Sequence, residues 1–145
     1  VVGIAVSAYF TAGVVAKPLM GLMYHRLGAR TALFVPLVIA GALAAVIGWL
    51  SWGALFIPLA ALVGLVAPVS PIILTAAADV SDEKALASSI GFIYTCHGLG
   101  FLSPLIGGWL AGPFGFSVSY TFFAVAIWCG AAAALLLRGG PPAAR

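Results

Sequence analysis

Long apolar runs separated by short polar hinges make up almost the whole of this chain. Five windows read as continuous hydrophobic stretches, at about 1–23, 31–50, 53–78, 86–111 and 118–137. Each approaches or exceeds the roughly 20 residues that a helix needs to cross a bilayer core of about 30 Å. A spanning β-strand would be shorter and would alternate in polarity. Nothing here alternates, and 131–137 is apolar throughout. The pattern predicts an all-α fold: a polytopic transmembrane bundle of five spanning helices, forming one domain over 1–145.

Composition agrees. Hydrophobic residues are 64% of the 145 and charged residues 6%, and a chain of this size cannot fold so much apolar surface away from water. The partner implied first is therefore the lipid bilayer. The formal charge of +3 does not point to nucleic acid, because the basic residues form no patch with interleaved aromatics. Their placement follows membrane topology instead. Arg26 and Arg30 lie in the first hinge, Lys84 in the third, and Arg138 and Arg145 follow the last helix. The second hinge (Ser51, Trp52) and the fourth (112–117) carry no charge. The positive-inside rule then places the amino terminus outside and the carboxy terminus in the cytoplasm, in an inner or plasma membrane. Trp49, Trp52 and Trp109 fall where an outer interfacial belt would lie.

Cys96 and Cys129 sit within apolar windows without metal-ligand spacing. They read as small buried hydrophobes, and no metal or cofactor is implied. The first window lacks the basic leader of a signal peptide. It begins without Met inside a hydrophobic run, which predicts a fragment of a longer protein.

The first helix carries Gly3, Gly13 and the pair Ala12 and Ala16, a small-xxx-small spacing for close helix contact. Lys17 near its inner end either snorkels to the headgroups or handles substrate or protons. The third helix contains Pro58, Pro68 and Pro71. The run 67–71 predicts a kink or interruption near the midplane, either a plain bend or a cavity-lining one. All three acids, Asp79, Asp82 and Glu83, fall in the third hinge. There Ser81 is the expected N-cap of the fourth helix, with two carboxylates at its positive end. The fourth helix holds Gly91, Gly98, Gly100, Gly107 and Gly108, costly unless close packing or bending is needed. The last helix, Ala-rich with Trp128 near its middle, reads as lipid-facing scaffold.

Two of these segments resemble one family. The hinge Gly21-Leu22-Met23-Tyr24-His25-Arg26-Leu27-Gly28-Ala29-Arg30 is similar to the cytoplasmic Gly-x-Leu-x-Asp-Arg-x-Gly-Arg-Arg signature of the major facilitator superfamily. Gly21, Met23, Arg26, Gly28 and Arg30 take matching places, His25 stands where the family usually has Asp, and Ala29 where a basic residue is frequent. Ser103-Pro104-x-x-Gly107-Gly108 resembles the family's Gly-Pro-x-x-Gly-Gly element, a helix-packing stripe that Gly100 extends. The third helix lacks the Arg that many members place in helix four, the hinge signature is degraded, and no long central loop follows the last helix. The chain thus resembles helices eight to twelve of a twelve-helix carrier, a partial fold of that family whose partner is the amino-terminal half of the same transporter.

The resemblance implies secondary active transport of a small solute by alternating access, proton-coupled, with the first, third and fourth helices lining the cavity. Candidate lining residues are Tyr9, Thr11, Ser70, Tyr94, Thr95 and His97. His97 is an ionisable group at mid-depth whose charge can change between pH 5 and 8, and helical spacing places Gly100, Pro104 and Gly107 on roughly its side. By the same resemblance Gly21, Arg26, Gly28 and Arg30 form an inner gate. A membrane enzyme would need a convergent nucleophile, base or metal set that the sequence does not offer. A structural membrane subunit without transport of its own is the competing class.

Overall fold

A computed structural model describes residues 2–50 and 55–137, and every one of its elements is helical. The helices are α1 (Val2–Trp49), α2 (Phe56–Val66), α3 (Ser70–Val80), α4 (Glu83–Leu99), α5 (Ser103–Phe114) and α6 (Phe116–Ala134), with a 3₁₀ turn at Gly100–Leu102. Expectations resting on Trp52, Arg138 and Arg145 fall outside the described residues.

Among the described residues, four helical stretches are long and apolar enough to cross a membrane, Gly3–Trp49, Phe56–Asp79, Glu83–Phe114 and Phe116–Ala134. The sequence pattern predicts five. The difference lies in α1, which takes in the first two windows. A straight helix of 47 residues would run about 70 Å, more than twice the hydrocarbon thickness. The helix is not straight: Gly28 has φ 77° and ψ 167° and divides it into two arms. The first hinge therefore shrinks from the expected stretch 21–31 to one residue. Gly115 repeats the device between α5 and α6, with φ 83° and ψ 165°, so the fourth hinge is also much shorter than 112–117. This backbone region is open essentially to glycine alone, which is how one residue can redirect a chain that stays helical on both sides.

The other two breaks come from proline. Between α2 and α3, Pro68 and Pro71 cannot donate to the carbonyls four residues earlier. The helix stops at Val66 and restarts at Ser70, with the Val69 N–H turned to the Ala67 carbonyl at 2.8 Å. Within the fourth window, Pro104 cannot donate to Gly100, and the chain tightens into 3₁₀ geometry over Gly100–Leu102 before α5 begins. The third window is interrupted where its prolines predict.

Packing is inverted relative to a water-soluble protein. Among the described residues, eight of the thirteen buried apolar ones are alanine, while Ile4, Phe10, Val14, Phe92, Leu105 and Leu136 are among many large side chains that face outward. Lipid tails are as apolar as leucine, so helix association rests on close van der Waals contact, which small residues allow. The two arms of α1 supply the scaffold, packing extensively against α2 and α6. Gly13 and Gly64 bring the first arm and α2 together, with the Gly64 carbonyl 3.6 Å from where a Gly13 Cβ would stand. Gly41 and Gly48 do the same for the second arm and α6, opposite Trp128 and Tyr120. The α6 helix is thus a packed partner as well as an outer surface, with Ala124, Ala131 and Ala134 buried.

These contacts fix which ends lie together. Met20, Tyr24, Ala32 and Leu33 beside Gly28 cluster with Ile72 of α3 and Ala134 of α6. At the opposite end, Ser117 donates to the Gly48 carbonyl at 2.6 Å and the Trp49 indole donates to Thr121 at 3.2 Å. The Gly28 hinge, the end of α3 and the end of α6 therefore share one end of the bundle, as charge alternation requires, and Trp49 belongs to the other.

Candidate functional site at the Gly28 hinge and the broken helices

The hinge signature folds into a two-sided element. Tyr24, Gly28, Ala32 and Leu33 turn inward and are buried, while His25, Arg26 and Arg30 are exposed; Gly21 is half-buried. Tyr24 is the residue that sequence reasoning passed over. Its hydroxyl donates to the Asp79 carboxylate at 2.5 Å, tying the first arm of α1 to the end of α3. The His25 ring stands edge-on to Tyr24 with centroids 5.7 Å apart. Neither Arg26 nor Arg30 has a hydrogen-bond or ion-pair partner among the described residues. A usable signal lay in the sequence: an amphipathic hydroxyl in the hinge, and an acid at the far end of the third window.

The third hinge differs in detail from expectation. Ser81 closes α3 and does not cap α4; its hydroxyl donates to Ser89 at 2.9 Å. Asp82 holds the N-cap position of α4 in extended geometry, without a capping bond from its carboxylate, and Glu83 opens the helix. The shift by one residue follows from α3 running on to Val80.

The proposed lining residues fall into separate groups. Tyr9 is half-buried on the first arm of α1, packed edge-on to Phe10 at 5.3 Å, and its backbone lies against Gly64. Thr11 is exposed. Ser70 is half-buried and opens α3 beside the proline break. Tyr94, Thr95 and His97 are exposed on α4, and the Thr95 hydroxyl donates back to the Gly91 carbonyl at 2.9 Å. The α4 helix packs on α3 and the 3₁₀ turn and buries no residue. The α1 and α4 candidates stand on helices that make at most slight contact with each other.

The glycine stripe is also modified. Three residues of 3₁₀ geometry at Gly100–Leu102 turn the chain about 60° beyond an α-helix between His97 and the Pro104–Gly108 segment. Gly107 meets α6, where the Ser119 hydroxyl donates to its carbonyl at 3.1 Å and the Phe123 ring lies 3.0 Å from a Cβ built there. Ser103, Pro104, Gly107 and Gly108 line one wall of a cleft of about 440 Å³ whose other wall is Phe116, Ser119, Tyr120 and Phe123 of α6. Gly100 and Gly108 have open space where a Cβ would stand. Both cysteines, expected to be buried, are exposed: Cys96 lies on α4, which buries no residue, and Cys129 lies on α6 away from its buried Ala124, Ala131 and Ala134. Lys17 is exposed on the first arm.

The geometry is that of a membrane bundle with two apolar windows interrupted along their length and a polar tie between α1 and α3 at the hinge end. No curated protein and no solved structure gives a significant match to the chain. The family model of the Major Facilitator Superfamily matches residues 1–145. With four membrane-spanning helical stretches, the glycine-centred hinge and a family match from end to end, the chain belongs to the Major Facilitator Superfamily.

Proposed function

We propose that this membrane transporter is a secondary active carrier that moves a small solute by alternating access, coupled to protons, and that the chain supplies helices corresponding to its carboxy-terminal half. The observation that carries the reading is the pair of broken spans. The third window is interrupted at 67–69, and the fourth changes to 3₁₀ geometry at Gly100–Leu102. Ser70 flanks one break, and Tyr94, Thr95 and His97 lead into the other. A spanning helix gives up backbone hydrogen bonds at depth only where protein or a watered cavity re-satisfies them, and carriers use such segments to bind solute and to bend.

In this reading α4 faces the pathway, and an amino-terminal half of the same transporter forms the opposite wall. His97 takes up and releases the coupled proton, while Tyr9, Thr11, Ser70, Tyr94 and Thr95 offer hydroxyls to the solute. The hinge residues Gly21, Arg26, Gly28 and Arg30 close the cytoplasmic side, which places the amino-terminal end of this chain outside. The test is flux in vesicles carrying the complete transporter. A proton gradient should drive uptake or export, and His97→Ala should insert normally yet abolish it. Transport kinetics that stay flat from pH 5 to 8, or full flux in the His97 variant, would remove His97 from the mechanism.

A further inference from the structure

The Gly28 hinge presents a cationic face with no neutralising partner among the described residues. Arg26 ends the first arm of α1 and Arg30 begins the second, both exposed, with His25 exposed beside them. The carboxylate hydrogen-bonded to this hinge, Asp79, accepts from the uncharged Tyr24 hydroxyl. Neither guanidinium has a partner among the described residues. Asp82 and Glu83 lie at the start of α4 beside Lys84, a cation with acids next to it in sequence. Tyr24, Gly28, Ala32 and Leu33 fill the inward face of the hinge, and both arginines stand on its exposed side; in the membrane reading that side lies near the headgroups.

We infer that Arg26 and Arg30 form a binding face for the phosphate of an anionic phospholipid, such as phosphatidylglycerol. Charge complementarity selects this occupant. A guanidinium offers a planar fork of donors that fits two phosphate oxygens together. A zwitterionic headgroup brings its own ammonium to that phosphate and leaves no net charge to attract, whereas an anionic one answers the uncompensated pair. Arginines near an anionic leaflet each gain on the order of 1 kcal/mol, which is about fivefold per residue and about thirtyfold for two. The inference needs the membrane reading of the hinge and is independent of which solute is carried.

The experiment is a lipid-binding measurement on the full transporter purified in detergent, by native mass spectrometry and by thermal unfolding with added lipid. Wild type should retain phosphatidylglycerol at least tenfold more strongly than phosphatidylcholine. Arg26→Gln with Arg30→Gln should bring that preference to within about threefold of unity, and each single exchange should lower it by about fivefold. Lys84→Gln should leave it unchanged. If the double variant fails to insert, the single variants decide the matter. An equal loss in Lys84→Gln would mean bulk charge alone and would overturn the proposal, as would an undiminished preference in the arginine variants or no preference in wild type. Protection by inorganic phosphate at the same concentration would also overturn it, because the occupant would then not be a lipid.

Discussion

The Tyr24 hydroxyl donates to the Asp79 carboxylate at 2.5 Å across 55 residues of sequence, joining the hinge end of α1 to the end of α3. The tie spans two elements whose other shared contacts are modest beside those of α1 with α2 and α6. Hydrogen bonds to charged groups stabilise by about 1.5–3 kcal/mol, and less where one partner is exposed, as Asp79 is. Tyr24→Phe and Asp79→Asn are each expected to destabilise the protein by about 1 kcal/mol. A double-mutant cycle followed by thermal unfolding in detergent should show a coupling of about that size. Additive effects would mean that the two groups do not act together.

Gly28 and Gly115 carry the same backbone conformation at opposite ends of the bundle, φ 77° with ψ 167° and φ 83° with ψ 165°. Side chains with a Cβ reach this region only at a cost of about 1–3 kcal/mol. Gly28→Ala and Gly115→Ala should each lower thermal stability by that amount, although a Cβ at Gly115 would meet no neighbouring atom. Gly112→Ala is the control, since Gly112 lies inside α5 with open space around it. It should be neutral or slightly stabilising, because alanine favours a helix interior by about 1 kcal/mol over glycine. A Gly115→Ala variant as stable as Gly112→Ala would show that the backbone angle imposes no strain.

What the sequence discloses depends on the kind of physics involved. Hydropathy and length mark out all five apolar windows, and Pro68 with Pro71 mark the interruption at 67–69, because both signals are local. The two one-residue hinges are harder to see: Gly28 and Gly115 resemble any other glycine until their φ is known. The cap assignment fails by one residue because Ser81 and Asp82 are equally good caps on paper, and only the length of α3 decides between them. Contacts between distant segments are the least legible. Nothing in the last window announces that Trp128 seats against Gly41 and donates to the Val38 carbonyl at 3.2 Å, or that Tyr24 meets Asp79. The division of the lining candidates between α1 and α4 was equally hidden, since periodicity reports a face without reporting what faces it.

The close approach at Gly64 gives a sharper test of the packing. A Cβ there would collide with the Tyr9 carbonyl oxygen, and the neighbouring Tyr9 carbon would be 2.9 Å away. These are backbone atoms and cannot rotate aside. At Gly48 the obstacle is Tyr120 Cβ at 2.5 Å, nearly as rigid. Overpacking of this kind costs about 1–3 kcal/mol, so Gly64→Ala and Gly48→Ala should lower the melting temperature in detergent. Gly91→Ala, inside α4 with nothing near its Cβ, should leave it unchanged or raise it slightly. Equal melting temperatures for all three would mean that α2 and α6 do not sit on α1 as described.

Pro104 offers a way to separate stability from motion. It follows the 3₁₀ turn at Gly100–Leu102 and cannot donate to the Gly100 carbonyl. In Pro104→Ala the restored N–H can complete an α-helical bond, and α4 and α5 can merge into one straight rod. Pro104 lies in the first turn of α5, but joining α5 to α4 would make the position a helix interior. Removing a proline there favours the helical form by up to about 3 kcal/mol, offset in part by the lost fit of the ring in the cleft against Phe123 and Tyr120. The variant should therefore unfold no more readily than wild type. If the break is the joint about which α4 swings during transport, turnover should nevertheless fall about tenfold or more, while solute affinity changes little. Wild-type turnover in a stable Pro104→Ala protein would show that this break serves packing against α6 and has no part in the transport cycle.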